Sequence, residues 1–388
     1  MKFGKRAGAM LGIATAVLLT TTACSSGLLS DGGGGDEGGV IKVGMIVPTS
    51  GSSAPTGNSM ANGAQLAIDE INDAGGVLEG RMLELVVEDG ACDAQQAVAS
   101  ANKLVSSGVS ISVGGYCSGA TLPTLPIFDK AGVPMIIPAA NSQDLVNEGL
   151  KSVFLINGTG LQQSAAALNF VKKQGYGTVA LVDDNTSYSV DITTETEKQI
   201  TEDGAAEVVL NTSVNAGESD YSAVVRDIVG SKADLIYWTG YYQEGGLIID
   251  QLRKAGYDGD FMVADGSADS TLAEIAGDAA EGVYATMTPT PNTIAGAEGW
   301  IADYEAAFGE EPRPYSTQSY DAVRLAAAAF DAAGSTETDA VVDALEKTDN
   351  FDAFSGPLSF TPEHTLASGG FVILIIKDAD FVLFDDLQ

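Results

Sequence analysis

The sequence is poor in the side chains that most enzyme and metal chemistry needs. It holds one histidine, His364, and three cysteines, Cys24, Cys92 and Cys117. That is too few for a zinc site of imidazole and thiolate ligands, so no metal is expected. His364 lies in a turn, residues 361–365 (TPEHT), far along the chain from Ser118, which argues against a Ser–His–acid triad. Residues 115–119 (GYCSG) do not put serine at the centre of G-x-S-x-G. Residues 158–160 (GTG) lack the third glycine of a dinucleotide fingerprint, because Gln163 stands in its place, and no cofactor is expected. Basic residues are scarce as well, 19 against 53 acids, for a formal net charge of −34. A surface of that sign excludes a nucleic-acid partner, since phosphate backbones require basic patches. The acids are scattered and read as a solvated surface.

What is present suffices for about two ordinary domains: 388 residues, 45% of them hydrophobic. Lys2, Lys5 and Arg6 precede an apolar run at 7–19 that is too short to span a bilayer. Residues 1–23 therefore read as an export signal. Residues 21–24 (TTAC) resemble the box of bacterial lipoproteins, small residues before a lipidated cysteine, with Thr21 where that box usually has leucine. Simple cleavage after Ala23 is the alternative. Residues 25–39 (SSGLLSDGGGGDEGG) are too rich in glycine and polar groups to fold alone. With Cys24 they form an expected tether at 24–39, spanning roughly 20 Å as a random coil. Several acyl chains on Cys24 would hold the protein on the outer face of the cytoplasmic membrane, where a single chain would not. An exported chain meets an oxidising compartment, so a disulfide between Cys92 and Cys117 is expected, with two free buried thiols as the alternative.

From Val40 onward, apolar β runs alternate with helical stretches. Strands are expected at 41–47, 83–88, 109–113, 134–137 and 153–156, and helices at 62–74, 95–106 and 121–131. The pattern then restarts, with helices at 161–174, 193–203, 220–229 and 244–255 and strands at 178–182, 207–210, 234–239 and 261–263. Longer helices at 295–308, 317–333 and 338–346 follow, and residues 370–376 and 381–384 read as a hairpin. The alternation predicts an α/β fold of two Rossmann-like doubly wound lobes of similar size, each a parallel sheet with helices on both faces.

Ligands of such sheets sit beyond the carboxyl ends of the strands. At those ends the first half offers Thr49, Ser50, Tyr116, Cys117, Ser118, Ala139, Ala140 and Asn141, which are donors and small residues. The second half offers residues 183–188 with Tyr188, then Gly240 and Tyr241, then Asp265 and Gly266, which are aromatics and an acid. Facing each other across a cleft, the two sets predict a small zwitterion. Its carboxylate would meet hydroxyls and helix N-termini on one side, and its ammonium an acid on the other.

Residues 88–99 (EDGACDAQQAVA), 114–118 (GGYCS) and 138–141 (PAAN) resemble the branched-chain amino-acid-binding proteins of ABC importers. These are the Leu/Ile/Val-type members of the type I periplasmic binding proteins. Residues 41–76 and 356–360 (GPLSF) are similar too, and the resemblance covers about 40–388. It implies two Rossmann-like lobes hinged by three crossover strands, expected here at 40–158 plus 289–367 and at 159–288 plus 368–388. It implies that Ser118 and the backbone at Asn141 hold a ligand carboxylate. The Ala139 carbonyl, the Asn141 side chain and Asp265 would hold its ammonium, with Ala140 between them and Tyr188 and Tyr241 closing over it. Thr56, Tyr116, Cys117 and Tyr315 fall where the family lines its side-chain pocket, and the family has a disulfide matching Cys92–Cys117. The sequence departs from the pattern at three places. Asn141 stands where the family usually has threonine, Asp265 where it usually has glutamate, and Thr56 where close relatives have an aromatic. These departures bear on branched-chain specificity; an anionic acceptor for an amino acid's ammonium is retained.

The resulting expectation is a solute-binding lipoprotein, not an enzyme, that binds a small branched-chain or related aliphatic amino acid. It would be a monomer that delivers the ligand to membrane permease subunits by lobe closure. A ligand sensor of the same fold and a binder of a different amino acid or an amide-like solute are the alternatives.

Overall fold

A computed structural model describes residues 39–385; the export signal, Cys24 and all of the tether before Gly39 lie outside the described residues. Strands β1 (Ile41–Val47), β2 (Leu83–Asp89), β3 (Ile111–Ser112), β4 (Met135–Ile137) and β5 (Val153–Leu155) form a five-stranded parallel sheet in the order β2-β1-β3-β4-β5. A second sheet contains β6 (Thr178–Asp183), β7 (Glu207–Ser213), β8 (Leu235–Trp238), β9 (Asp260–Val263) and β10 (Tyr284–Met287). A short hairpin, β11 (Phe351–Ala353) and β12 (Gly356–Leu358), stands apart, and β13 (Val372–Lys377) and β14 (Asp380–Asp385) complete the second sheet as β14-β13-β10-β9-β8-β6-β7. Central strands such as β1 and β8 are almost wholly buried apolar runs, as strands covered on both faces must be.

The chain passes between the two sheets three times: after β5, after β10 and before β13. Between the last two crossings it builds the helices Glu298–Phe308, Ser316–Ala333 and Thr338–Glu346. The middle one packs on the helix Ala54–Asp73. Gly63 makes that approach possible, because a Cβ there would lie 2.1 Å from the Ser316 carbonyl oxygen.

The fold class is the expected doubly wound α/β architecture, but the second sheet is larger and mixed. β10 and β13 pair antiparallel, as do β13 and β14. The hairpin turn at Asp378 and Ala379 has positive φ at both residues, 53° and 69°, the twist that tight hairpins favour. Several element ends differ from the sequence reading for local reasons. The helix expected from 62 begins at Ala54, with Pro55 in its first turn, where a missing N–H costs nothing. Gly57, inside this helix, is a packing residue, since a Cβ there would fall 1.8 Å from the Pro48 carbonyl oxygen. The helix expected from 193 begins at Ser187, capped by the Thr186 hydroxyl, and so carries Tyr188 in its first turn. The helix expected at 121–131 is broken into Ser118–Thr121, a tight turn at Leu122–Thr124 and Leu125–Ala131, because Pro123 and Pro126 cannot donate. Among the described residues no helix is long and apolar enough to cross a membrane.

Candidate ligand-binding site

The first-sheet part of the site grows from the loops after β3 and β4. Cys92 and Cys117 are joined by a disulfide with Cα atoms 5.3 Å apart, which ties the loop after β2 to the residue before Ser118. The Ser118 hydroxyl oxygen accepts from the backbone N–H of Asn141 at 3.3 Å and of Ser142 at 3.2 Å. Both strand-end loops are thereby locked to each other, and the serine keeps its own proton to donate. The Asn141 amide nitrogen donates to Gln163 Oε1 at 3.0 Å and to Asp265 Oδ2 at 3.2 Å. Its Oδ1 is buried without a partner. A buried acceptor left unpaired costs about 1–3 kcal/mol, so a donor is wanted there.

The second-sheet part centres on Asp265, at the end of β9 and 3% exposed. Its Oδ1 accepts from the Tyr188 hydroxyl and its Oδ2 from the Tyr315 hydroxyl, both at 2.6 Å. The Gly266 N–H in turn donates to the Tyr188 oxygen at 2.8 Å. Burial pushes the Asp265 carboxyl above the ordinary aspartate range, while hydrogen bonds from Tyr188, Tyr315, Gln163 and Gly266 pull it back. Burial also holds the Tyr188 and Tyr315 hydroxyls well above their usual range, which keeps both as donors. The tyrosines form a chain. Tyr315 meets Tyr116 with ring centroids 5.7 Å apart, Tyr116 meets Tyr241 at 6.0 Å, and Tyr241 meets Tyr188 at 5.2 Å. Since Tyr188 and Tyr315 both end on Asp265, four aromatic rings and one carboxylate close a circuit.

The two sides touch through further polar contacts. The Tyr242 hydroxyl donates to the Ser52 carbonyl at 2.6 Å, and the Gln143 N–H donates to Asp191 Oδ2 at 3.0 Å. Thr56 reaches Asp269 Oδ2 at 3.4 Å, and Arg313 pairs with Asp269 Oδ1 at 2.7 Å.

Ser118, Asn141, Tyr188, Asp265 and Tyr315 thus meet through direct hydrogen bonds, with Tyr116 and Tyr241 packed on them. Cys117 is buried in the disulfide beside Ser118. The Thr56 hydroxyl is committed to Asp269 rather than to the tyrosines. The Ala139 carbonyl accepts from Asn157 Nδ2 at 2.6 Å, and the Ala140 N–H donates to the Gly115 carbonyl. The sequence reading missed Gln163, Asn157, Asp269 and Arg313. Gln163 was detectable: it is fully buried and lies on the same helical face as the buried Ala166, Ala167, Phe170 and Val171, a polar residue in a core position. Among the described residues no cluster of histidine, cysteine or acidic side chains is disposed to hold a metal.

This geometry can be set beside known proteins. The sequence profile of the periplasmic binding proteins matches residues 40–380. The chain belongs to that family. A leucine-, isoleucine-, valine-, threonine- and alanine-binding protein of Pseudomonas aeruginosa is 33% identical over 334 residues, covering 86% of this chain and 89% of its own. Among solved structures, a leucine-binding protein of Thermotoga maritima superposes with a TM-score of 0.83 at 28% identity, covering 89% of this chain and 98% of its own. The substrate-binding protein of a branched-chain amino-acid transporter of Streptococcus pneumoniae, in complex with isoleucine, superposes with a TM-score of 0.80 at 30% identity, covering 89% and 100%. This periplasmic binding protein is therefore of the Leu/Ile/Val type, a substrate-binding protein of an ABC transporter and not an enzyme.

Proposed function

We propose that the chain is the exported, lipid-anchored solute-binding component of an ABC importer and takes a small amino acid, branched-chain or a related aliphatic, between its two sheets. The observation that carries the reading is the meeting of Asp265, a buried acid from one side, with Asn141 from the other, where Asn141 Oδ1 lacks a donor. An α-ammonium supplies the missing donor and the missing positive charge together. It would sit against Asp265, Asn141 Oδ1 and the second lone pair of the Ala139 carbonyl. The ligand carboxylate would take the Ser118 hydroxyl and lie against the backbone at Asn141, beside Ala140, whose own N–H is held by the Gly115 carbonyl. Tyr188 and Tyr241 would cover it, and Thr56, Tyr116, Cys117 and Tyr315 would line its side chain.

The lobes in this reading are 40–158 plus 289–367 and 159–288 plus 368–388. A ligand that bridges them binds the closed form better than the open one and shifts the population toward it. The closed monomer then docks on the permease, with Cys24 and the tether raising its local concentration at the membrane. A thermal-shift screen at neutral pH tests the ligand class, with amino acids on one arm and carboxamides and urea on the other. Amino acids should raise the melting temperature. Amides matching them would overturn the reading, because a neutral ligand leaves Asp265 without a cation.

A further inference from the structure

Gln163 is a fully buried amide in the first turn of the helix Gly160–Gln174, and the binding of a zwitterion gives it no direct part. A primary amide is tolerated in a core only where both of its ends are paired. Both are. Its Oε1 accepts from Asn141 Nδ2 at 3.0 Å. Its Nε2 donates to the Thr286 hydroxyl oxygen at 3.0 Å and lies 3.5 Å from the Thr286 carbonyl oxygen in β10. The Thr286 and Tyr237 hydroxyls meet at 2.8 Å, which holds the far end of this relay.

The polarity of the relay runs from Thr286 toward the site. A carbonyl oxygen only accepts, so the Gln163 nitrogen belongs on the Thr286 side and its oxygen on the Asn141 side. An acceptor facing Asn141 calls for the Asn141 nitrogen, and the Asn141 oxygen is then turned away from Gln163. That oxygen is the buried Oδ1 with no partner. Asp265 favours the same orientation, but its bond to the Asn141 nitrogen is longer, 3.2 Å, and the Asp265 oxygen involved also serves the Tyr315 hydroxyl at 2.6 Å. A ligand ammonium competes for that carboxylate. The bond from Asn141 to Gln163 does not depend on it.

We propose that Gln163 is a positioning residue for amino-acid recognition, holding the Asn141 amide with its oxygen toward the ligand. The inference rests on the amino-acid reading above and deepens it. With Oδ1 presented, the site takes a donor at the ligand's α-position, which an ammonium supplies. With the amide turned over, Nδ2 would be presented instead, and the site would take an acceptor such as the carbonyl of an α-keto acid. Gln163 thus sets the discrimination between an amino acid and its keto acid by acting through Asn141.

Calorimetry on the full exported chain tests this with two pairs, leucine against its α-keto acid and alanine against pyruvate. In at least one pair the amino acid should bind wild type about tenfold tighter or more. Gln163→Met keeps the size and removes both hydrogen bonds, so that ratio should shrink about fivefold, the worth of one hydrogen bond. A merely structural loss would weaken both members alike and leave the ratio as it was. In an Asn141→Thr background the ratio should not respond to Gln163→Met, because a threonine hydroxyl rotates to donate or accept without help. Thr286→Val removes one of the partners that orient Gln163 and should shrink the ratio about twofold, which keeps the test open if Gln163→Met does not fold. A ratio unchanged from wild type in every folded variant at Gln163 or Thr286 would overturn the inference while leaving the amino-acid reading intact. So would a ratio that falls equally in the Asn141→Thr background. Keto acids binding wild type as tightly as the amino acids, or failure of both amino acids to bind, would overturn both readings.

Discussion

Tyr315 donates its hydroxyl to Asp265 Oδ2 at 2.6 Å from a main chain held at φ 67°. Left-handed backbone is costly for a bulky residue and persists only where the surroundings dictate it. Here they do. Tyr315 opens the helix Ser316–Ala333, which is packed on Ala54–Asp73, and its ring is 2% exposed against Tyr116. The tyrosine belongs to the first-sheet side and reaches the acid of the second, so the strain sits where the two sides meet.

The first prediction concerns the two ends of the ligand. Asp265→Asn removes the negative charge opposite the ammonium, and Ser118→Ala removes a donor to the carboxylate. Each should weaken amino-acid binding about tenfold or more, on the order of 1.4 kcal/mol, by calorimetry. Wild-type affinity in both variants would sink the zwitterion assignment.

Binding should also depend on pH through Asp265. Burial raises its carboxyl in the free protein, and a ligand ammonium would draw it down again. Affinity should therefore be full at neutral pH and fall as pH drops through the raised value of the free protein, with proton release on binding in that window. Tyr315→Phe deletes one of the hydrogen bonds that oppose the rise, so the fall should begin at higher pH than in wild type. Affinity titrations across pH 4 to 8 check the order. An unchanged midpoint in Tyr315→Phe would contradict it.

Much of this arrangement was legible in the sequence. The alternation of apolar runs and helical stretches led to two wound sheets, and the rule that ligands gather at strand ends put Ser118, Asn141, Tyr188, Tyr241 and Asp265 on one short list. What escaped has identifiable causes. β10 (Tyr284–Met287) is a short run of mixed polarity with no period of its own, and only pairing with β9 and β13 makes it a strand. Gln163 and Asn157 are buried amides whose partners lie on other elements, Gln163 with Asn141 and Thr286, Asn157 with the Ala139 carbonyl. The Asp269–Arg313 pair joins residues 44 apart in sequence, and no local pattern marks it.

That pair gives the next prediction. The Asp269 side chain is 5% exposed and that of Arg313 29%. Arg313→Gln leaves a buried carboxylate with the Thr271 N–H and the long contact from Thr56. Loss of one partner from a fully buried pair costs 3–5 kcal/mol; with the guanidinium partly in solvent, about 1–2 kcal/mol is expected. Urea denaturation measures it. Because the pair joins the loop after β9 to the segment before Tyr315, ligand affinity should fall in the same variant.

The disulfide should matter to stability and to the site together. The bridge closes a loop with a sequence separation of 25, for which the chain-entropy model gives about 3.5 kcal/mol. Cys92→Ala/Cys117→Ala, or reduction of the native bridge, should lower the urea midpoint accordingly. It should also weaken binding, since Cys117 immediately precedes Ser118. A double variant with unchanged affinity would mean that the hydrogen bonds from Asn141 and Ser142 hold the Ser118 loop by themselves.

The last prediction uses the contact between Asp191 and the Gln143 N–H. Burial pushes the Asp191 carboxyl up from the ordinary 3.8 to about 6, the Gln143 N–H opposes the shift, and the charges of Asp144 and Glu195 add to it. Between those two values the folded chain binds more protons here than the unfolded chain does. This group's contribution to stability is therefore most favourable below about pH 4 and is lost as pH rises to about 6. Asn at this position cannot titrate, yet its oxygen can still accept from Gln143. Asp191→Asn should match wild type near pH 4 and gain on it as pH rises, levelling off above pH 6. The full shift would correspond to about 3 kcal/mol; solvent on the open side of Asp191 reduces this to about 1–2 kcal/mol. Urea denaturation at pH 4.5, 5.5 and 7.5 separates the outcomes. A difference that is constant across the three would show that Asp191 keeps its charge at the contact and that its bond to Gln143 outweighs the cost of burial.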